Sequence, residues 1–336
     1  MNKLLNDPQT IETDMIDGVI KSAPHLVRRI SAKSNVLVRL KKKPKYKVAL
    51  VSGGGSGHEP LHAGYVGFGM LDAAVPGKIF TSPPATDIQA AIEEVATEAG
   101  VLCIVKNYSG DIMNFEIAIE ECQSKGIKVD YVIVNDDVAV ENSLYTTGRR
   151  GVAGTSLVHK IAGACAEQDG TLKEVKKVAQ RVIDNVRSMG VALSPCVLPS
   201  TGLKSFDLGE DEMEIGIGIH GEPGIRREKI MPTQKIVELL MEKILADLDY
   251  KKHEVVVMVN GLGGTAQMEL LLATKYVHEI LDKNDIRVFD TLAGNFTTSL
   301  EMEGFSITLL RLDDDMKSLY NFPARTLAFQ KYPEKI

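Results

Sequence analysis

The residues able to do chemistry gather in three short segments: Ser52–Pro60 (SGGGSGHEP), Lys106–Asp111 (KNYSGD) and Gly218–Gly224 (GIHGEPG). They supply two histidines, His58 and His220, with Lys106 and Asp111. A His, an Asp and a Lys at one place can run general acid–base chemistry or hold a carbonyl substrate. The glycines at 53–55 and 57 let backbone amides close on a small polar ligand. The plainer alternative for that segment is a tight strand-to-helix turn with a surface histidine. For His220, spacing alone leaves ligand contact and ordinary loop histidine equally open.

The elements that must position these groups follow an α/β rhythm. Apolar runs at 47–52, 101–105 and 129–134 each stop at a polar or glycine-rich loop, as buried strands do. Helices are predicted over 8–32 (one or two), 86–98, 112–125, 153–169 and 172–189, with Gly190 as the C′ residue of the last. Beyond it come a strand over 213–219 that ends at His220, a helix over 233–247 and a strand over 255–259. A helix over 266–283 and strands over 286–290 and 305–311 complete the chain. His58, Lys106–Asp111 and His220 all fall at predicted strand ends, where open α/β sheets bind ligands. The expected fold class is α/β, with two α/β domains, each a central sheet flanked by helices. Residues 1–190 carry the Gly-rich loop and 191–336 carry His220, with a boundary near 190 where Gly, Pro and Ser become dense. No internal repeat or low-complexity segment is present.

The glycine loops are not nucleotide loops. A Walker A motif needs Gly-x-x-x-x-Gly-Lys-[Ser/Thr], and Gly77-Lys78 is followed by Ile79. The dinucleotide pattern Gly-x-Gly-x-x-Gly fails at His58 when counted from Gly53 and at Pro60 when counted from Gly55. Protein-kinase signatures are missing too, so nothing supports an ATP or NAD site on this chain. With 336 residues, a net charge of −6 and no Trp, the chain lacks the basic footprint and stacking aromatics of a nucleic-acid binder. Cys103, Cys122, Cys165 and Cys196 form no Cys-x-x-Cys pair and read as small buried hydrophobes in a reducing compartment. The acidic N-terminus is unlike a signal peptide, and no apolar run is long enough to span a bilayer. A cytoplasmic protein without membrane association is expected.

Other polar clusters read more plainly. Asn135-Asp136-Asp137 is expected to be a solvated strand end or a structural hydrogen-bond site, since a hard cation needs more oxygen ligands; no metal site is expected. Arg149-Arg150 fits a phosphate or partner contact and a structural ion pair equally well. His62 is assigned to the core or to the surroundings of the site. His25, His159, His253 and His278 read as structural or surface histidines.

Five motifs in order resemble the dihydroxyacetone-binding K subunit family of dihydroxyacetone kinases. They are Ser52–Pro60, Val105–Phe115 (VKNYSGDIMNF), Glu141–Tyr145 (ENSLY), Gly148–Gly154 (GRRGVAG) and Gly218–Gly224. The resemblance runs from the N-terminal helix to Leu309–Leu312. It implies a homodimer that binds dihydroxyacetone between its two domains. The histidine matching His220 would bond to the ketone carbon as a hemiaminal, which glycerol cannot form. His58 and Asp111 would serve the reacting hydroxyl or also assist addition to the carbonyl, Gly55, Ser56 and Gly57 would contact the ligand through backbone groups, and Lys106 would contact it directly.

The resemblance also implies partners. In the two-component architecture, magnesium and ADP/ATP sit on a separate L subunit. That nucleotide is rephosphorylated by a phosphocarrier M protein of the phosphoenolpyruvate sugar phosphotransferase system. A chain of this length has no room for a fused nucleotide domain. The rival expectation is a coactivator paralogue that keeps the ligand site and binds a TetR-type transcription regulator. Departures from the family pattern at Pro76, Ser82–Thr86, Thr265–Gln267 and the tail Phe329–Lys335 leave the ligand residues untouched and fit a changed partner surface.

Overall fold

A computed structural model describes residues 3–41, 44, 46–141 and 147–332. Residues 142–145 of the third motif and 333–335 of the tail lie outside the described residues. The first sheet is built from β1 (Val27–Arg29), β2 (Leu37–Arg39), β3 (Ala49–Ser56), β4 (Ala73–Ile79), β5 (Val101–Lys106) and β6 (Val129–Val134). Its order is β1-β2-β4-β3-β5-β6, with β4, β3, β5 and β6 parallel. The second uses β7 (Val186–Ala192), β8 (Glu212–Ile215), β9 (Arg226–Lys229), β10 (Glu254–Gly261), β11 (Arg287–Gly294) and β12 (Gly304–Leu312). Its order is β11-β10-β12-β7-β8-β9, and only β10 and β11 pair in parallel. A hairpin of β13 (Ala324–Arg325) and β14 (Gln330–Lys331) follows.

The helices are α1 (Ile11–Ser22), α2 (Ala85–Val95), α3 (Ser109–Ser124), α4 (Thr155–Glu167), α5 (Leu172–Asn185), α6 (Thr233–Asp247), α7 (Gln267–Lys283) and α8 (Asp314–Asn321). The period of two along each strand decides the layers. In β5, Val101, Cys103 and Val105 join Ile88, Ile92 and Phe115 of α2 and α3, while Leu102 and Ile104 face the opposite way, toward Leu157 and Ile161 of α4. In β10, Val255, Val257 and Val259 meet α6 and α7, while Val256 and Met258 join the same central core as Leu102. Helices α4 and α5 therefore lie between the two sheets, with α2–α3 and α6–α7 outside. That is why α4 is buried at nearly every position.

Several expectations are corrected. The glycine run is not a loop after the strand: β3 continues through Ser56. A Cβ on Gly53 would lie 2.6 Å from the Val75 carbonyl, so the missing side chains let β4 close on this stretch. The helix expected over 172–189 stops at Asn185, and Gly190 is not its C′ residue but pairs with Ser306 inside β7. Residue 190 lies in β7, the first strand in chain order of the second sheet. A second helix before residue 32 is replaced by β1. The strand expected over 213–219 ends at Ile215, where Gly216 takes φ +79°.

Candidate functional site

The parallel strands β3 and β5 deliver the site residues from their C-terminal ends. Lys106 is the last residue of β5, and Asp111 sits in the first turn of α3, where the helix N-terminus favours a carboxylate. His58 follows β3 after Gly57, whose φ of +99° is a backbone state that glycine adopts at least cost. His220 comes from the loop after β8. A cleft of about 610 Å³ collects Gly55, Phe80, Ser82, Tyr108, Asp111 and His220 along its walls. The structure thus brings His220 beside His58, which spacing alone left open: their ring centroids are 4.8 Å apart at 76°.

His220 is held by a carboxylate. Its Nδ1 lies 2.8 Å from Glu222 Oε1, and its backbone N–H donates to Glu222 Oε2 at 3.0 Å. Burial would raise the Glu222 carboxyl, but the His220 imidazole, its hydrogen bond and the Arg150 guanidinium hold it down to about 2. An ionised Glu222 accepts from Nδ1–H, so that in the neutral ring the lone pair is the one on Nε2. The rings of Tyr108 and Phe80 meet the imidazole edge-on, with centroids 4.6 and 5.4 Å away.

His58 is fixed in the complementary way. Its Nδ1 donates to the Thr298 carbonyl at 2.8 Å, and its buried Nε2 has no protein partner among the described residues. Burial, then the neighbouring His220 and Lys106, push its pKa well below the usual value, so the ring is neutral and Nε2 is an acceptor. Phe80 stacks on it at 5.0 Å. The 298–300 segment between β11 and β12 holds this turn: Thr298 N donates to His58 O and Leu300 N to Gly57 O. That segment was missed in the sequence, because its role is a crossing between distant parts of the chain.

Lys106 and Asp111 form a buried pair, Nζ to Oδ2 at 3.2 Å, and the Ser82 hydroxyl donates to the other carboxylate oxygen. Of the loop glycines, Gly55 lines the cleft. The Gly57 N–H is held by the Glu59 carboxylate at 3.0 Å and its carbonyl by Leu300. The Ser56 hydroxyl donates to the Gly77 carbonyl and its own carbonyl accepts from Phe80 N. Glu222 and Tyr108 stand inside the motifs that carry His220 and Lys106; a His-x-Glu spacing was the available signal for the first.

Asp136 is fully buried and accepts from the Val152 and Gly154 amides and the Ser188 hydroxyl, so it is the hydrogen-bond site, not a solvated end. Arg150 pairs with Asp137, and Arg149 with Asp247. Among the described residues no group of three or more His, Cys, Asp or Glu is placed to hold a metal ion. No helix among them is long and apolar enough to cross a membrane.

Fold and site together define an α/β protein of two facing sheets with a histidine–carboxylate pair in a cleft at strand ends. Residues 17–328 match the Dak1 domain. The chain is 49% identical over 331 residues to the dihydroxyacetone-binding subunit DhaK of PTS-dependent dihydroxyacetone kinase 1 from Listeria innocua, covering 98% of this chain and 100% of that one. It is 38% identical over 353 residues to the corresponding subunit of the PEP-dependent kinase of Escherichia coli, covering 98% and 99%. Its structure is similar to the dihydroxyacetone kinase operon co-activator Dha-DhaQ, with TM-score 0.89, 36% identity and 95% and 98% covered. It is similar also to the dihydroxyacetone kinase of C. freundii in complex with AMP-PNP and Mg2+, with TM-score 0.91 and 36% identity, covering 100% of this chain and 62% of that one. The chain belongs to the Dak1 family, that of the dihydroxyacetone-binding subunits of dihydroxyacetone kinases.

Proposed function

We propose that this chain is the dihydroxyacetone-binding subunit of a phosphotransferase-system-dependent dihydroxyacetone kinase, holding its ketone as a hemiaminal on His220. The observation that carries this is the Glu222–His220 pair at the cleft, with the His58 ring, whose Nε2 is unpartnered among the described residues, packed against the His220 imidazole. In the step proposed, the His220 Nε2 lone pair forms a bond to the carbonyl carbon and the C=O π bond opens. Nδ1 gives up its proton toward Glu222 and the former carbonyl oxygen gains one. The net change is addition of an imidazole N–H across C=O, with no co-reactant. Glycerol has no C=O to receive the bond, so the adduct separates the two.

The held triose then presents a hydroxyl for phosphorylation. His58 Nε2 is a neutral acceptor able to take the hydroxyl proton as oxygen attacks phosphorus. Asp111, held by Lys106 and Ser82, is the second candidate for that proton. Nucleotide and magnesium would arrive on a partner L subunit that the phosphocarrier M recharges, and the proposed assembly is a cytoplasmic homodimer. The test is reconstitution with L and M partners and a phosphoenolpyruvate supply. Formation of dihydroxyacetone phosphate supports the reading, and no turnover with a cognate L subunit removes it.

The likeness to the co-activator Dha-DhaQ favours one second reading. A sensor that binds dihydroxyacetone and docks on a TetR-type regulator needs the same ligand site. Capture of a TetR-type regulator, with no capture of an L subunit, would select it.

A further inference from the structure

Behind Lys106 runs a line of buried polar groups that the proposed chemistry does not use. Besides Asp111, the Lys106 ammonium reaches His62 Nε2 at 3.2 Å. His62 Nδ1 lies 3.0 Å from the Ser52 hydroxyl oxygen and 3.0 Å from His159 Nε2. The Ser52 hydroxyl in turn lies 2.6 Å from the Ile104 carbonyl oxygen. All four side chains are buried.

The direction of each bond follows from counting protons. A carbonyl only accepts, so the single Ser52 proton goes to Ile104 and the Ser52 oxygen is left to accept from His62. His62 therefore carries its proton on Nδ1, shared between Ser52 and His159, and turns the Nε2 lone pair to the lysine. Burial, then the charge of Lys106, push the His62 pKa well below its usual value, in agreement with a neutral ring. An ammonium has three protons. His62 and Asp111 take two, and the third has no hydrogen-bond acceptor among the described residues, the Tyr108 ring of the cleft wall lying 5.9 Å from the nitrogen. A Cβ on Gly54 would lie only 2.2 Å from the lysine nitrogen, so the head group lies directly against β3, one residue before Gly55 of the cleft wall.

We propose that His62 is a positioning residue: its Nε2 lone pair holds the Lys106 ammonium between Asp111 and β3, so that the remaining N–H is presented to an oxygen of the ligand. This rests on the reading of the cleft as a dihydroxyacetone site. A histidine that only fills the core would matter through its Nδ1 side, toward Ser52 and His159. The two roles call for different replacements. His62→Gln puts an amide oxygen near the place of Nε2, whereas His62→Asn keeps a polar group near Nδ1 and gives Lys106 no acceptor.

The experiment uses the full chain labelled with 15N-lysine. A buried ammonium held by two acceptors exchanges slowly with water and gives its own NζH3 signal, assigned by its loss in Lys106→Met. Dihydroxyacetone affinity is measured in parallel by titration calorimetry. His62→Gln is expected to keep the signal and bind within about threefold of wild type. His62→Asn is expected to lose the signal and bind about tenfold more weakly, the scale of one neutral hydrogen bond. In the Lys106→Met background, His62→Asn should cost nothing further. An intact signal with unchanged affinity in His62→Asn would overturn the proposal, as would a larger loss in His62→Gln than in His62→Asn. If His62→Asn fails to fold, loss of the signal in folded His62→Gln overturns the proposal and its retention supports it. Wild type that binds no dihydroxyacetone counts against the ligand reading, and the ammonium signal then decides for or against His62 by itself.

Discussion

His220 Nδ1 and Glu222 Oε1 lie 2.8 Å apart, with the carboxylate buried and the imidazole at the cleft. The pair settles which ring nitrogen is free, and that choice is what the proposed chemistry needs. Glu222→Gln keeps the shape and a bond to the His220 amide but removes the charge. Charge-assisted hydrogen bonds contribute about 1.5–3 kcal/mol, so dihydroxyacetone affinity should fall by about 10- to 100-fold. Titration calorimetry measures this, and an affinity equal to wild type would remove Glu222 from the account.

His58 is proposed to act chiefly on the reacting hydroxyl. His58→Asn should lower the reconstituted turnover rate by about 100-fold or more, the scale of a lost general base. Ligand affinity should change by less than about tenfold. Equal losses in the two measurements would make His58 a binding residue only.

A Cβ on Gly54 would lie 2.2 Å from the Lys106 nitrogen, so a side chain there forces the lysine head group to move. Gly54→Ala should therefore displace Lys106 from Asp111. Overpacking of this kind costs about 1–3 kcal/mol of stability, read as a lower urea midpoint at unchanged slope, and ligand affinity should drop with it. Full stability and full affinity in the variant would contradict the packing described.

His159 gives a pH prediction. Burial, followed by the charge of Lys106, pushes its pKa down to about 3, against an ordinary value of 6.5. Between those values the unfolded chain binds a proton that the native chain does not, so this residue makes stability rise with pH and level off above about 6.5. Asp137, pushed up to about 6 by burial despite Arg150, acts in the opposite sense, so the comparison must isolate His159. From pH 6 to pH 5, wild type should lose about 1 kcal/mol more than His159→Gln. Urea unfolding at the two pH values measures the difference, and parallel losses would mean that His159 is charged in the native state.

Much of the site was legible because its residues stand at strand ends in a chain whose apolar runs are unambiguous. His58, Lys106 and Asp111 gather at the ends of the parallel strands β3 and β5 as the strand-end rule expects, and His220 joins them from the loop after β8. What escaped notice depends on contacts between distant segments. Gly53 to Ser56 looked like a loop because glycine has poor strand propensity, yet β4 needs those missing side chains. Val186–Met189 continued a helical apolar pattern until pairing with β12 made it a strand. β4 was hidden by Pro76-Gly77, which locally argue against a strand. The roles of Thr298 and His62 rest on partners 240 and 44 residues away in sequence, His58 and Lys106, which no local pattern records.

The central claim is a covalent bond between His220 and the ketone carbon, and carbon-13 spectroscopy of dihydroxyacetone labelled at that carbon tests it most directly. Bound to the wild-type chain, the label should leave the carbonyl region and appear where saturated carbons bearing nitrogen and oxygen resonate. His220→Ala should abolish that signal. A wild-type complex saturated with ligand whose label stays in the carbonyl region, or an adduct signal that survives in His220→Ala, would contradict the account.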